Sequence, residues 1–135
     1  MRIAGTTART YVRGYIMDGW AIELGFIEDW LDEQDDKTIR LVMAAVNMLR
    51  REGPNLRRPL VGTIDGSAYR NMKELIPASS GNAQIRILFM FDRSRTAVLL
   101  LAGDKRKRWD SWYRTAIPEA ERRYAQYLHE RSARA

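Results

Sequence analysis

The amino-acid sequence predicts an α+β fold: a helical hairpin packed on a twisted, mainly antiparallel sheet of about four strands, with a C-terminal helix to follow. Three observations predict it. Apolar residues recur at helical spacing between Ile39 and Leu49, and they alternate with a period of two between Ile85 and Phe91. The elements also run strand, two helices, several strands, helix, unlike the regular strand–helix alternation of a parallel sheet.

Residues 1–16 are rich in Arg, Thr and Gly, show no period and read as a loose extension. Organised pattern begins after Met17, a candidate native start, so the domain is expected over 17–135. Gly19 to Leu24 alternates as a short strand, and Phe26, Ile27, Trp30 and Leu31 follow helical spacing. Asp35 or Asp36 suits the N-cap of a second helix, whose stripe is Ile39, Val42, Met43, Val46 and Leu49. Arg50 and Arg51 match the dipole at its C-terminal end, and Gly53-Pro54 stops it. Residues 53–68, with Arg57-Arg58 and several Pro and Gly, read as a basic loop.

Three strands are expected next. The first runs from Tyr69 to Leu75, with polar and apolar residues mixed on both faces. In the second, Ile85, Ile87, Phe89 and Phe91 share one face, which puts Arg86 on the other with Leu88 and Met90. Asp92-Arg93-Ser94-Arg95 makes a tight hairpin, and Thr96 to Ala102 is apolar on both faces, as a central strand is. Trp109, Trp112 and Tyr113 then stand at helical spacing. Pro118 fits the first turn of the last helix, followed by Glu119 and Glu121.

Composition narrows the function. The longest apolar run, Ala97 to Ala102, is far too short for a membrane span, and no secretory signal pattern is present; a cytoplasmic protein with no membrane role is expected. The absence of cysteine excludes disulfides, thiolate nucleophiles and Cys-based metal sites. The single histidine, His129, lies near the end of the chain and cannot assemble a metal site, so neither metal nor cofactor is expected. The net charge of +6 and pI of about 10.0 point to polyanionic partners. Residues 18–52 hold nine acids against four bases, a net of −5, leaving +11 for the rest of the chain. A basic half beside an acidic half is the pattern of a binding face and a back.

Six short phrases occur in order: Glu52-Gly53-Pro54, Arg58-Pro59-Leu60, Asn71-Met72-Lys73-Glu74-Leu75, Ile85-Arg86-Ile87-Leu88-Phe89, Ala102-Gly103-Asp104-Lys105 and Trp109-Asp110-Ser111-Trp112-Tyr113. Together they resemble the phage-derived, HigB-like branch of the RelE/ParE toxin superfamily, over roughly Trp20 to His129. The resemblance implies a RelE-like domain and the toxin of a type II toxin–antitoxin system. It further implies a metal-independent, ribosome-dependent mRNA endoribonuclease that inhibits translation, in which a ribose 2′-hydroxyl attacks the adjacent phosphate. Its partners would be mRNA on the ribosome and a helix-turn-helix antitoxin.

Carried over position by position, the resemblance makes Arg86 the contact to the scissile phosphate, Lys105 or Arg106 the basic residue after the last strand, and Tyr113 an acid or stacking group. Glu74 lies where relatives carry a carboxylate or a lysine. Ile76 stands where many relatives have arginine, which removes one phosphate contact. The residue types suit the reaction: a guanidinium fork and an ammonium for phosphate charge, a carboxylate to take a proton, a phenol to give one. Candidate catalytic residues are therefore Arg86, Lys105, Tyr113 and Glu74; candidate RNA contacts are Lys73, Arg70, Arg106, Lys107, Arg108 and Trp112. Arg57 and Arg58 are candidates for phosphate or antitoxin contact. Taken without the family, Arg86 reads as a surface strand arginine, 105–108 as a solvated turn, and Trp109 with Tyr113 as one packed helix face. Two other functions share this fold: a ParE-like toxin acting on DNA gyrase without nuclease activity, and an inactive prophage remnant that only binds its antitoxin.

Overall fold

The computed structural model describes residues 19–108 and 111–134, apart from the side chain of Lys107. The extension 1–16, the Met17 start, Trp109 and Lys107 as an RNA contact thus lie outside the described residues or side chains. Five strands form one sheet in the order β1-β5-β4-β3-β2: β1 Ala21–Glu23, β2 Val61–Thr63, β3 Lys73–Leu75, β4 Ile85–Phe91 and β5 Thr96–Asp104. All neighbouring pairs are antiparallel except β1 with β5. The helices are α1 Glu28–Asp32, entered through a 3-10 turn at Gly25–Ile27, α2 Asp36–Glu52 and α3 Trp112–Arg134.

The helical hairpin forms as its pattern predicts. Asp35 is the N-cap of α2, its Oδ1 accepting from the Thr38 N–H at 2.8 Å. Val42, Ala45, Val46 and Leu49 bury the stripe. At the far end Gly53 adopts φ 55°, and Trp20 lies so close that a side chain there would overlap its indole at Nε1. The hairpin covers one face of the sheet with Ile85, Ile87, Phe89, Ala97 and Leu99 in its core.

The other face carries a second core, in which Met72, Leu88, Met90, Val98 and Leu100 meet Trp112, Ala116, Ala120 and Tyr124 of α3. Those four α3 residues repeat at intervals of four, so one stripe crosses Pro118 without interruption. This corrects the expected start of the helix. Pro118 is not in its first turn but inside it, on the exposed side, where the lost N–H costs less than breaking the stripe.

Two further expectations change. Residues 53–68 are not all loop, because Val61–Thr63 pairs with Leu75–Lys73 and supplies the fifth strand. The strand expected from Tyr69 is shortened to Lys73–Leu75. The Met72 N–H turns back to the Tyr69 carbonyl, while Ser67 Oγ and the Ala68 N–H both donate to Glu121 on α3. Among the described residues, no helix is long and apolar enough to cross a membrane.

A bulge in β5 sets up the site. Leu88 pairs with Leu101 but Phe89 pairs with Leu99, leaving Leu100 as the extra residue. Leu100 and Leu101 both face α3, and Ala102 returns to the hairpin side. Unbroken alternation would have sent Gly103 to the hairpin side; the bulge turns it towards α3 instead, against Trp112 and in register with Arg86.

Candidate active site

Four of the expected catalytic residues arrive from four elements on the α3 face. Glu74 comes from β3, Arg86 from β4, Lys105 from the 3-10 turn after β5, and Tyr113 from the first turn of α3. The Tyr113 hydroxyl donates to Glu74 Oε1 at 2.6 Å, and Arg86 Nε stands 3.8 Å from the same oxygen. Lys105 Nζ lies over the Tyr113 ring, 5.4 Å from its centroid. Glu74 is only 7% exposed, the one charged residue among the buried core positions described. Arg86 is 17% exposed at its side chain. Its Nη1 donates to the Ile85 carbonyl, while its buried Nε finds no hydrogen-bond acceptor among the described residues.

The electrostatics follow from this crowding. Burial, the hydrogen bond to Glu74 and the charge of Glu74 push the Tyr113 phenol up to about 12, so it keeps its proton at neutral pH. Burial and the neighbouring Arg86 pull the Lys105 ammonium below the ordinary lysine value, against the opposing pull of Glu74. The cluster therefore holds a proton donor bonded to a carboxylate, beside two cations, on the low-dielectric rim of a core. Such a set can bind a phosphodiester and move protons on either side of it.

The four residues line neither of two cavities that border their neighbours. A cavity of about 560 Å³ adjoins Trp112, lined also by Phe26, Trp30, Leu101, Arg108 and Arg123. Another of about 500 Å³ runs past Gly62, the register partner of Glu74, and is lined by Arg57, Arg58 and Lys73.

The expected RNA contacts separate in space. Arg70 is exposed in the turn before β3. Arg106 is exposed and paired with Asp104 at 3.0 Å, and Arg108 is exposed at the mouth of the larger cavity. Lys73 alternates away from Glu74 and shares the face of Phe89. Trp112 corrects its expectation: at 8% exposure it is a core residue seated on Gly103, not a platform open to a base. Arg58, a candidate for phosphate or antitoxin contact, stands close to the cluster. A Cβ built on Gly62 would meet Arg58 Nη2 at 3.1 Å and Glu74 Oε2 at 3.3 Å, so both groups border the same bare stretch of backbone. The pairing of Gly62 with Glu74 is the signal, and it appears only once β2 is known to be a strand.

Residues 29–125, well over half of the chain, match the family of "Phage derived protein Gp49-like" sequences. The chain belongs to that family. The Gp49-like chain is also 46% identical, over 110 residues, to the Mycobacterium tuberculosis protein named "Putative toxin HigB2", an alignment covering 82% of the chain. It spans only 55% of that relative's length. It is 42% identical over 102 residues to "Putative toxin HigB3" of the same organism, covering 76% of the chain and 87% of the relative. No solved structure matches the chain. The phage-derived, HigB-like kinship expected from the six phrases is thus what the family and its relatives give.

Proposed function

We propose that this chain is the toxin of a type II toxin–antitoxin pair, acting as a metal-independent, ribosome-dependent mRNA endoribonuclease and restrained by a helix-turn-helix antitoxin. Two relatives named as HigB toxins support the toxin role. The observation that carries the nuclease reading is the convergence of Arg86, Glu74, Lys105 and Tyr113 on one face.

In the proposed reaction Arg86 and Lys105 face the scissile phosphate, stabilising the charge that gathers on its oxygens. Glu74 takes the proton from the 2′-hydroxyl as that oxygen attacks phosphorus. The bond from phosphorus to the 5′-oxygen breaks, and Tyr113 gives that oxygen its proton. The products are a 2′,3′-cyclic phosphate and a 5′-hydroxyl. The proton on Glu74 then returns to the Tyr113 phenolate along the existing 2.6 Å bond, which restores both groups. A phenol near 12 is a weak acid on its own. Positioning by the ribosome makes up the difference, since well-oriented reactions gain roughly 7–11 kcal/mol.

The test is expression of the wild-type chain and of Arg86→Ala in growing cells. Growth arrest with cuts inside translated messages is expected from the former, and normal growth from a folded Arg86→Ala protein. Inhibited DNA supercoiling with intact messages would assign the ParE-like activity instead. A folded chain without any effect on growth would leave only antitoxin binding.

A further inference from the structure

We infer that the groove around the outer edge of β2 is a phosphate-binding track that holds the message beside the scissile linkage; this rests on the nuclease reading above. The groove encloses about 500 Å³ and is lined by all of β2, by Pro54, Leu56, Arg57 and Arg58 before it, and by Lys73 across it. Three cations face it, and no acidic side chain is among its lining residues. That composition selects a polyanion. A cation would find no acidic ligand among the lining residues.

Its position selects which polyanion. Arg58 links the two places: it lines the groove, and its Nη2, like Glu74 Oε2, lies within 3.3 Å of where a Cβ on Gly62 would stand. A side chain at 62 would crowd both groups, its first carbon standing 3.1 Å from Arg58 Nη2 and 3.3 Å from Glu74 Oε2. On the sheet, β2 is separated from β4, which carries Arg86, by β3 alone. Two strand spacings amount to about 10 Å. A strand of RNA whose phosphate sits at Arg86 can therefore lay a nearby phosphate on Arg58 and then pass round the edge of β2 to Arg57 and to Lys73 on the other face of the sheet. The contacts are to phosphate, so they hold position without reading sequence.

The test uses the full chain and a fluorescein-labelled, fully 2′-O-methylated RNA oligonucleotide, which cannot be cleaved. Anisotropy is measured across salt concentrations for the wild type, for R57Q/K73Q and for the charge-keeping R57K/K73R. Each lost contact to a single strand should flatten the slope of log affinity against log salt by about 0.7. At 0.1 M salt that corresponds to roughly fivefold weaker binding per contact, or about 25-fold for the pair. R57K/K73R should keep the wild-type slope. Unchanged slope and affinity in a folded R57Q/K73Q protein would overturn the track. Loss of binding to a polyglutamate peptide with RNA binding intact would also overturn it, and give the groove to an acidic protein partner. The nuclease reading is separable, because its failure would appear as wild-type protein that binds this oligonucleotide yet leaves translated messages uncut.

Discussion

Replacing Gly103 by alanine should disturb fold and site together. A Cβ at 103 would stand 2.8 Å from Trp112 Nε1, 3.1 Å from Cζ2 and 3.2 Å from Cε2. Non-bonded carbons prefer about 3.5–4.0 Å, so the indole must retreat by about 0.5 Å or more. It has little room, being packed among Leu88, Met90 and Leu100 in the core beneath α3. Overpacking of this kind costs about 1–3 kcal/mol, of which alanine regains about 0.5–1 kcal/mol by restricting the unfolded chain. With a urea dependence of about 2 kcal/mol per molar, the midpoint of unfolding should fall by roughly 0.25–1 M. Urea denaturation followed by tryptophan fluorescence measures it. Trp112→Phe in the Gly103→Ala background should recover part of the loss, so the pair of changes is less damaging than their sum. Tyr113 follows Trp112 directly, so toxicity should fall with stability. A Gly103→Ala protein as stable as wild type, or additive effects with Trp112→Phe, would refute the close approach that shapes this corner.

Three other outcomes are expected. Arg86→Ala removes one of the influences that lower the Lys105 ammonium, so Lys105 should titrate at higher pH in the variant, while Glu74→Gln should move it lower; NMR of ¹³C-methylated lysines reads both shifts. Tyr113 and Tyr127 are both pushed up from 10.0 to about 12, so their contribution to stability is complete below pH 10 and disappears as the pH climbs to 12. Thermal melts across that window should show the decline, and Tyr113→Phe/Tyr127→Phe should flatten it. Tyr127→Phe removes the donor that ties α3 to Asp92 at the β4–β5 hairpin, and should cost about 1–3 kcal/mol in denaturant unfolding. Burial works against the Asp92 charge, but hydrogen bonds from Tyr127, Ser94 and Thr96 hold its carboxyl below 3.8. Its stabilisation is present above that value and is lost as pH falls through the lowered one, a loss that Tyr127→Phe should lessen.

The parts of this fold written in local periodicity were legible from the sequence, and the parts decided by tertiary partners were not. The stripe of α2 and the alternation of β4 each use one repeating rule, so α2 and the face of Arg86 could be read directly. β2 could not, because three residues among prolines and glycines carry no period; it is a strand because Leu75 and Lys73 pair with it. Pro118 misled for a related reason. Local preference places proline at a helix start, but the stripe from Trp112 to Tyr124 continues through it. For the site, the family resemblance supplied Arg86, Glu74, Lys105 and Tyr113, and the sheet brings these four together. The bulge at Leu100 and the Arg58–Gly62 approach depend on register across strands, which has no trace in one strand's composition.

Cleavage at the cluster is best tested on the RNA ends themselves. Translating ribosomes are given the purified chain or a folded Glu74→Gln, Arg86→Ala or Tyr113→Phe protein, and the 3′ ends of the message fragments are examined by mass spectrometry. Wild-type protein should leave 2′,3′-cyclic phosphate ends, and their rate of formation should drop about 10²–10⁴-fold for the proton-transfer variants. Fragments ending in a plain 3′-hydroxyl, or variants that cut as fast as the wild type, would contradict cleavage at the cluster.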